Sequence, residues 1–225
     1  MAVRRMNAAL RRRDWDEVRN SMLCSGADHD EAEPVEMCTA SVDDWSRYVR
    51  SSYHSTKRKF MEWLVGRIWI VEYPSTLHGC AVGSFIVAMG GATGTWDDHL
   101  AGCTASHNEE PPTGLAGEAL IEQDCAFGPH CNVGAVLPPG VAGWLEYETV
   151  KVEVGVSQGW AGLDRKAAIW RGYPGVEYVV FIRLSPRLRV REYRFEQRVD
   201  GQFPGDNDVN RAGILPIIDQ EHAVL

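Results

Sequence analysis

The sequence predicts one α/β domain with a mixed β-sheet flanked by helices over residues 61–198, preceded by a helical and flexible extension and followed by a short tail. Two observations carry this. Residues 147–157 hold Val150, Val152, Val154 and Val156 in strict alternation with Lys151, Glu153, Gly155 and Ser157, the period-two signature of a strand with one apolar face. Beyond residue 60, helix-like and strand-like segments then alternate, the order expected of a layered α/β domain rather than an all-α or all-β one.

Residues 1–22 have helical character through Met6, Leu10 and Val18, whereas residues 24–42 are acidic and polar and read as a flexible linker. Together with a second helix over Asp43–Trp63 they make up an N-terminal extension, residues 1–60. The run from Arg67 to Tyr73 is β-rich and stops at Pro74. Ser75 and Thr76 offer caps to an apolar helix over Cys80–Met89 that closes at Gly90-Gly91. Residues 92–118 read as an irregular insertion, Ala119–Phe127 as a short strand, and Gly128–Gly143 as loop. After the valine strand, Ala161–Arg171 is helical by pattern, and Glu177–Leu184 and Leu188–Phe195 are two further strands joined at Ser185-Pro186. Residues 199–225 form a polar, peripheral tail.

Composition narrows the class. The chain has 225 residues, 44% of them apolar, six cysteines and a net charge of −8. It is long enough to bury a core, and it is neither collagenous nor a disulfide miniprotein. No uninterrupted apolar run is long enough to span a bilayer, so no membrane partner is expected. The Arg-rich start lacks an apolar signal core, and the irregular cysteines read as reduced thiols. An intracellular protein, cytoplasmic or nuclear, is expected, with mitochondrial targeting as the lesser alternative. The charge is uneven: residues 61–150 carry −10 and residues 151–200 carry +4. The acidic middle suits cations, while an anionic partner would meet the basic stretch, aided by Lys57-Arg58-Lys59.

An acid in mid-strand needs a partner, because an unpaired charge in low dielectric is costly. Glu153 is such an acid, with Asp124 on the preceding strand candidate and Lys166 one turn into the following helix. Two carboxylates on neighbouring strands suit one hard divalent cation, Mg²⁺ or Mn²⁺, and a nearby lysine can offset charge developing on a phosphate. Lys151 shares the Glu153 face and competes with Lys166 for that role. A structural ion pair between Glu153 and either lysine is the plain alternative.

These residues resemble a known family. Val152–Ser157, then Leu163-Asp164-Arg165-Lys166, then Gly175–Phe181 look like the restriction endonuclease-like family of the PD-(D/E)XK nuclease superfamily. Glu122–Phe127 is similar to that family's strand carrying the first metal-binding Asp. Gly66-Arg67-Ile68 and Pro74-Ser75-Thr76-Leu77-His78 are similar to its opening strand and the entry to its first core helix. The resemblance implies a restriction-endonuclease-like core, hydrolysis of DNA phosphodiester bonds, Asp124 and Glu153 as metal ligands and Lys166 as the catalytic lysine. It also leaves room for a degenerate member that binds without cutting, because the strand position usual for the lysine is Gly155. Many nucleases cut as dimers, so a homodimer is compatible.

Other residues carry weaker signals. Arg187, Arg189 and Arg191 alternate and would form a phosphate-contact stripe on one strand face, or the charged edge of a solvated strand. His78 reads as an auxiliary site residue or as a capping or surface histidine. Trp144, Trp160 and Trp170 read as base-stacking platforms or as core. Asp97-Asp98-His99 and Glu109-Glu110 read as metal-holding or as solvated loop acids, and Cys125, His130 and Cys131 are read as packing side chains rather than zinc ligands. No P-loop, GxSxG or HExxH motif is present.

Overall fold

The N-terminal helix α1 (Ala2–Arg12) turns Met6 and Leu10, four residues apart, into a shared core. A short α2 (Trp15–Arg19) follows, its first turn capped by the Asp14 carboxylate, which accepts from the Asp16 and Glu17 N–H groups. The computed structural model describes residues 2–24, 32–94, 98–104, 121–204 and 213–214. Strand β1 (Val35–Thr39) and helix α3 (Val42–Val49), capped by Ser41, come next. After a 3₁₀ turn, β2 (Met61–Leu64) and β3 (Arg67–Ile70) form a hairpin. Val65 and Gly66 both take positive φ there, 47° and 78°, as a two-residue hairpin with right-twisted strands requires. These strands make an antiparallel sheet in the order β1-β3-β2, and its core joins Met6, Leu10, Met37, Trp45, Tyr48 and Ile68.

Two expectations are corrected here. The stretch 24–42 is not all linker: residues 25–31 lie outside the described residues, but Val35–Thr39 is an ordered edge strand. Met37 enters the core, and Glu36 pairs with Arg67 across the β1–β3 ladder, so acidity did not preclude a strand with a partner edge to join. The helix expected over Asp43–Trp63 ends at Val49, because Met61–Leu64 pairs with β3. The extension and residues 61–70 thus share one core.

The larger unit begins with α4 (Thr76–Thr93), capped by the Ser75 side chain and closed by Gly94 at φ 61°. Strands β4 (Leu100–Cys103), β5 (Cys125–Pro129) and β6 (Val150–Gly155) then form an antiparallel meander. Helix α5 (Trp160–Arg171) crosses over to β7 (Tyr178–Leu184), which runs parallel to β6. Strands β8 (Arg191–Gln197) and β9 (Gly213–Ile214) complete a mixed sheet in the order β4-β5-β6-β7-β8-β9.

The valine alternation works as read. Val152, Val154 and Val156 pack with Cys125, Phe127 and Ile182 under Val82 of α4. Helix α4 meets this face through Leu77, Ala81, Phe85 and Met89, at intervals of four, and is more exposed elsewhere, with Val87 at 75%. It is long and apolar enough to cross a membrane by length and composition alone. On the other face, Val179 and Phe181 pack with Leu163, Ala167 and Trp170 of α5. The arginine stripe is corrected: β8 starts only at Arg191, so Arg187 and Arg189 lie in the β7–β8 connection and the three do not line one strand face. Leu188 takes φ 56° in that turn, which breaks the strand.

Candidate active site

Pairing of β5 with β6 sets Asp124, the residue just before β5, beside Glu153. The Asp124 N–H donates to the Val152 carbonyl at 3.2 Å, and the Val154 N–H donates to Asp124 Oδ2 at 2.8 Å. The other oxygen, Oδ1, lies 3.1 Å from His78 Nε2 in the first turn of α4. Glu153 points at α5, where Lys166 and Trp170, four residues apart, share a helix face. Lys166 Nζ donates to Glu153 Oε2 at 2.7 Å and Trp170 Nε1 donates to Oε1 at 2.7 Å. All five side chains are buried, Glu153 completely.

A third carboxylate braces the frame. Glu72, between β3 and α4, accepts from the Val156 N–H at 3.0 Å, the Ser157 N–H at 3.0 Å, the Ser157 hydroxyl at 2.8 Å and the Gln158 N–H at 3.0 Å. It therefore satisfies the backbone donors between β6 and α5 and fixes the turn that separates Glu153 from Lys166.

The electrostatics follow from burial and pairing. Burial opposes ionisation of Asp124, but the His78 bond and charge, Lys166 and the Val154 N–H outweigh it and hold its pKa below the ordinary value. Burial pushes Glu153 up to about 7, Lys166 pulling it down and the Asp124 charge adding to the rise. Burial disfavours the Lys166 cation, yet Glu153, Asp124 and Glu62 more than compensate and keep it protonated. His78 is raised in the same way, Asp124 winning over burial. Burial raises Glu72, against the pull of His78.

The structure thus separates the two lysines. Lys166 reaches Glu153. Lys151, also buried, pairs instead with Glu148 and lies over the Trp170 and Tyr173 rings at 4.6 and 5.6 Å. His78 is not a surface residue: it is buried and bonded to Asp124. Glu72 was missed by sequence reasoning, although an acid ending the apolar run Ile68–Val71 is the same signal that singled out Glu153.

Of the three tryptophans only Trp170 joins this cluster, as a core side chain bonded to Glu153; Trp160 donates to Glu192 Oε2 at 2.7 Å, and Trp144 lies near Tyr147. The remaining candidates do not converge on it. Arg58, expected to help meet an anion, is buried and bonded to Glu122 and to the Val49 carbonyl. Arg187 and Arg189 are exposed in their turn. Cys125 is buried, its thiol pushed up to about 12 by burial, while Cys131 is exposed. Asp97 and Glu109-Glu110 lie outside the described residues.

Asp124 and Glu153 can be tested as holders of a divalent cation. Among the described residues no group of three or more His, Cys, Asp and Glu side chains gathers as a ready metal cage. Mg²⁺ does not require one, since it is commonly held by one or two carboxylates and completes its shell with water and substrate phosphate. Each oxygen of Asp124 and Glu153 has one donor on it in the contacts above, and a carboxylate oxygen offers two lone-pair sites. Carboxylate oxygens are the donor type a hard cation takes.

The molecule is therefore an α/β protein with a mixed sheet and a smaller antiparallel sheet, both flanked by helices, and a buried cluster of acids and bases between β5, β6, α4 and α5. No family model matches the chain, and no curated protein or solved structure matches it closely enough to count.

Proposed function

We propose that this chain is a nuclease-like phosphodiester hydrolase acting on DNA, with a restriction-endonuclease-like core formed by α4, β4, β5, β6, α5 and β7. The observation that carries this reading is the junction of Asp124, just before β5, Glu153 of β6 and Lys166 of α5 in one electrostatic cluster. Asp124 and Glu153 are the residues that would hold Mg²⁺ or Mn²⁺, which when bound supplies Lewis-acid stabilisation of a phosphate. The protein's own part is orientation and charge. The Val154 N–H and His78 hold the Asp124 carboxylate, and Glu72 keeps the end of β6 in register with α5. Lys166, kept protonated, offsets negative charge developing on the phosphate oxygens. The full chain with Mg²⁺ or Mn²⁺ should nick supercoiled plasmid and stop in EDTA. The isosteric Asp124→Asn and Glu153→Gln should each lower nicking at least a hundredfold while circular dichroism shows a folded protein. Nicking that survives both substitutions would sink the catalytic assignment.

One observation favours a second reading, a binding module that keeps this fold without catalysis. Every member of the cluster is at most 4% exposed, and each carboxylate oxygen already accepts a hydrogen bond. That reading expects calorimetry to find no Mg²⁺ or Mn²⁺ binding that depends on Asp124, and a folded wild type without nicking.

A further inference from the structure

Away from the acid cluster, the corner between α1 and α2 meets the turn at residues 53–55 and borders an open groove of about 410 Å³. Asn7, Arg11, Trp15, Tyr53, His54 and Ser55 line it. The walls are built rather than casual. Asn7 Nδ2 donates to the Tyr53 carbonyl at 2.8 Å, the Ser55 N–H donates to the Tyr48 hydroxyl at 3.1 Å, and Trp15 Nε1 donates to the Leu10 carbonyl at 3.1 Å. Tyr53 itself is 81% exposed, so it is open to solvent at the mouth of the groove.

The chemistry of the lining is one-sided. In a protein of net charge −8, this groove has no carboxylate among its lining residues. Arg11 spends its Nε on the Asn7 carbonyl at 3.3 Å, and among the described residues no carboxylate pairs with its guanidinium. The nearest acid in sequence, Asp14, uses its carboxylate to cap α2. An exposed tyrosine and an arginine with no carboxylate on it, lining one groove, are the side-chain types that grip a flat base and the phosphate next to it.

We propose that this groove is a docking site for single-stranded nucleic acid, with a base stacked on Tyr53 and the adjoining phosphate at Arg11. The site lies in the unit formed by α1, α2 and α3 and is independent of the proposed chemistry at Asp124 and Glu153.

The test is fluorescence anisotropy of a short fluorescein-labelled oligothymidylate with the full chain in EDTA, over a series of salt concentrations. Tyr53→Ala should weaken binding about tenfold with an unchanged salt slope. Arg11→Ala should weaken binding and reduce the slope of log K against log salt by about 0.7, the share of one phosphate contact on a single strand. Both residues are exposed, so the variants should keep the wild-type circular dichroism spectrum. Asp124→Asn should bind as wild type does, which keeps this result separate from the outcome of the nicking assay. The proposal is overturned if wild type does not bind, if either variant binds like wild type at every salt concentration, or if an abasic strand of equal length binds as tightly. The last result would mark a polyanion contact without stacking.

Discussion

The two faces of the six-stranded sheet solve burial in opposite ways. Under α4 the face is apolar, built from Val152, Val154, Phe127 and Ile182, and the helix covering it leaves much of its own apolar surface outside. Under α5 the face buries charge among its apolar side chains: Lys151 with Glu148, Glu153 with Lys166, and Arg194 with Glu196 and Asp164, beside Leu163, Ala167, Val179 and Phe181. The difference teaches where this protein spends specificity. Apolar packing is non-directional and tolerates volume-conserving change, whereas a buried ion is tolerable only with its partner in place.

The sharpest way to break the comparison is to remove one half of a buried pair. Lys166→Met leaves Glu153 without its cation and should cost about 3–5 kcal/mol in urea denaturation. A loss under 1 kcal/mol would mean that the pair is not closed as described. On the opposite face, Val154→Ala removes two buried methyl groups and should cost roughly 1.5 kcal/mol. Val87→Ser, on the exposed side of α4, should stay within about 0.5 kcal/mol if that side faces water. A large loss there would show that the side is covered.

Acidity gives a finer probe of the charged face. The Glu153 carboxyl stands at about 7 in the folded chain against 4.5 ordinarily. Between those values the native state holds a proton that the unfolded chain has released, so this group makes stability fall as pH rises from 4.5 to 7. Above 7 the full cost is present and the contribution levels off. Asp124, held below its ordinary 3.8, acts in the opposite sense: its contribution is present above 3.8 and is lost as pH falls through its folded value. Denaturation midpoints of wild type and Glu153→Gln between pH 5 and 8 should show a decline with rising pH that is smaller in the variant. An equal decline in both would assign it to other groups.

Much of the larger unit was legible from spacing. The valines gave β6 and its two faces, the Ala161–Arg171 pattern gave α5 to within a residue, and Ser75 announced the start of α4. Of the smaller sheet only β3 was legible, in the β-rich run from Arg67; β1 and β2 were not, because they are only five and four residues long and the edge strand contains Glu36. So short a strand shows little periodicity of its own and is stabilised by the ladder it joins. The β7–β8 arginines failed for a related reason: alternation predicts a shared face only where the chain stays extended, and the turn at Leu188 intervenes. In the candidate site, Asp124, Glu153 and Lys166 could be nominated from the chain; Glu72 carried a similar signal at the end of Ile68–Val71 but was not read, and the buried role of His78 could not be.

By itself, then, the sequence determined the local choices: which residues alternate, where helices begin, and which acids would be costly to bury. Those depend on neighbours within a few positions, and side-chain periodicity records them directly. Tertiary structure alone decided which charges meet. Glu153 takes Lys166 from thirteen residues away and leaves Lys151 to Glu148; Asp124 takes His78, and Glu72 closes the turn after β6 across more than eighty residues. Such pairings depend on strand register and helix placement, and in a low-dielectric interior they determine which form of each group the fold can tolerate.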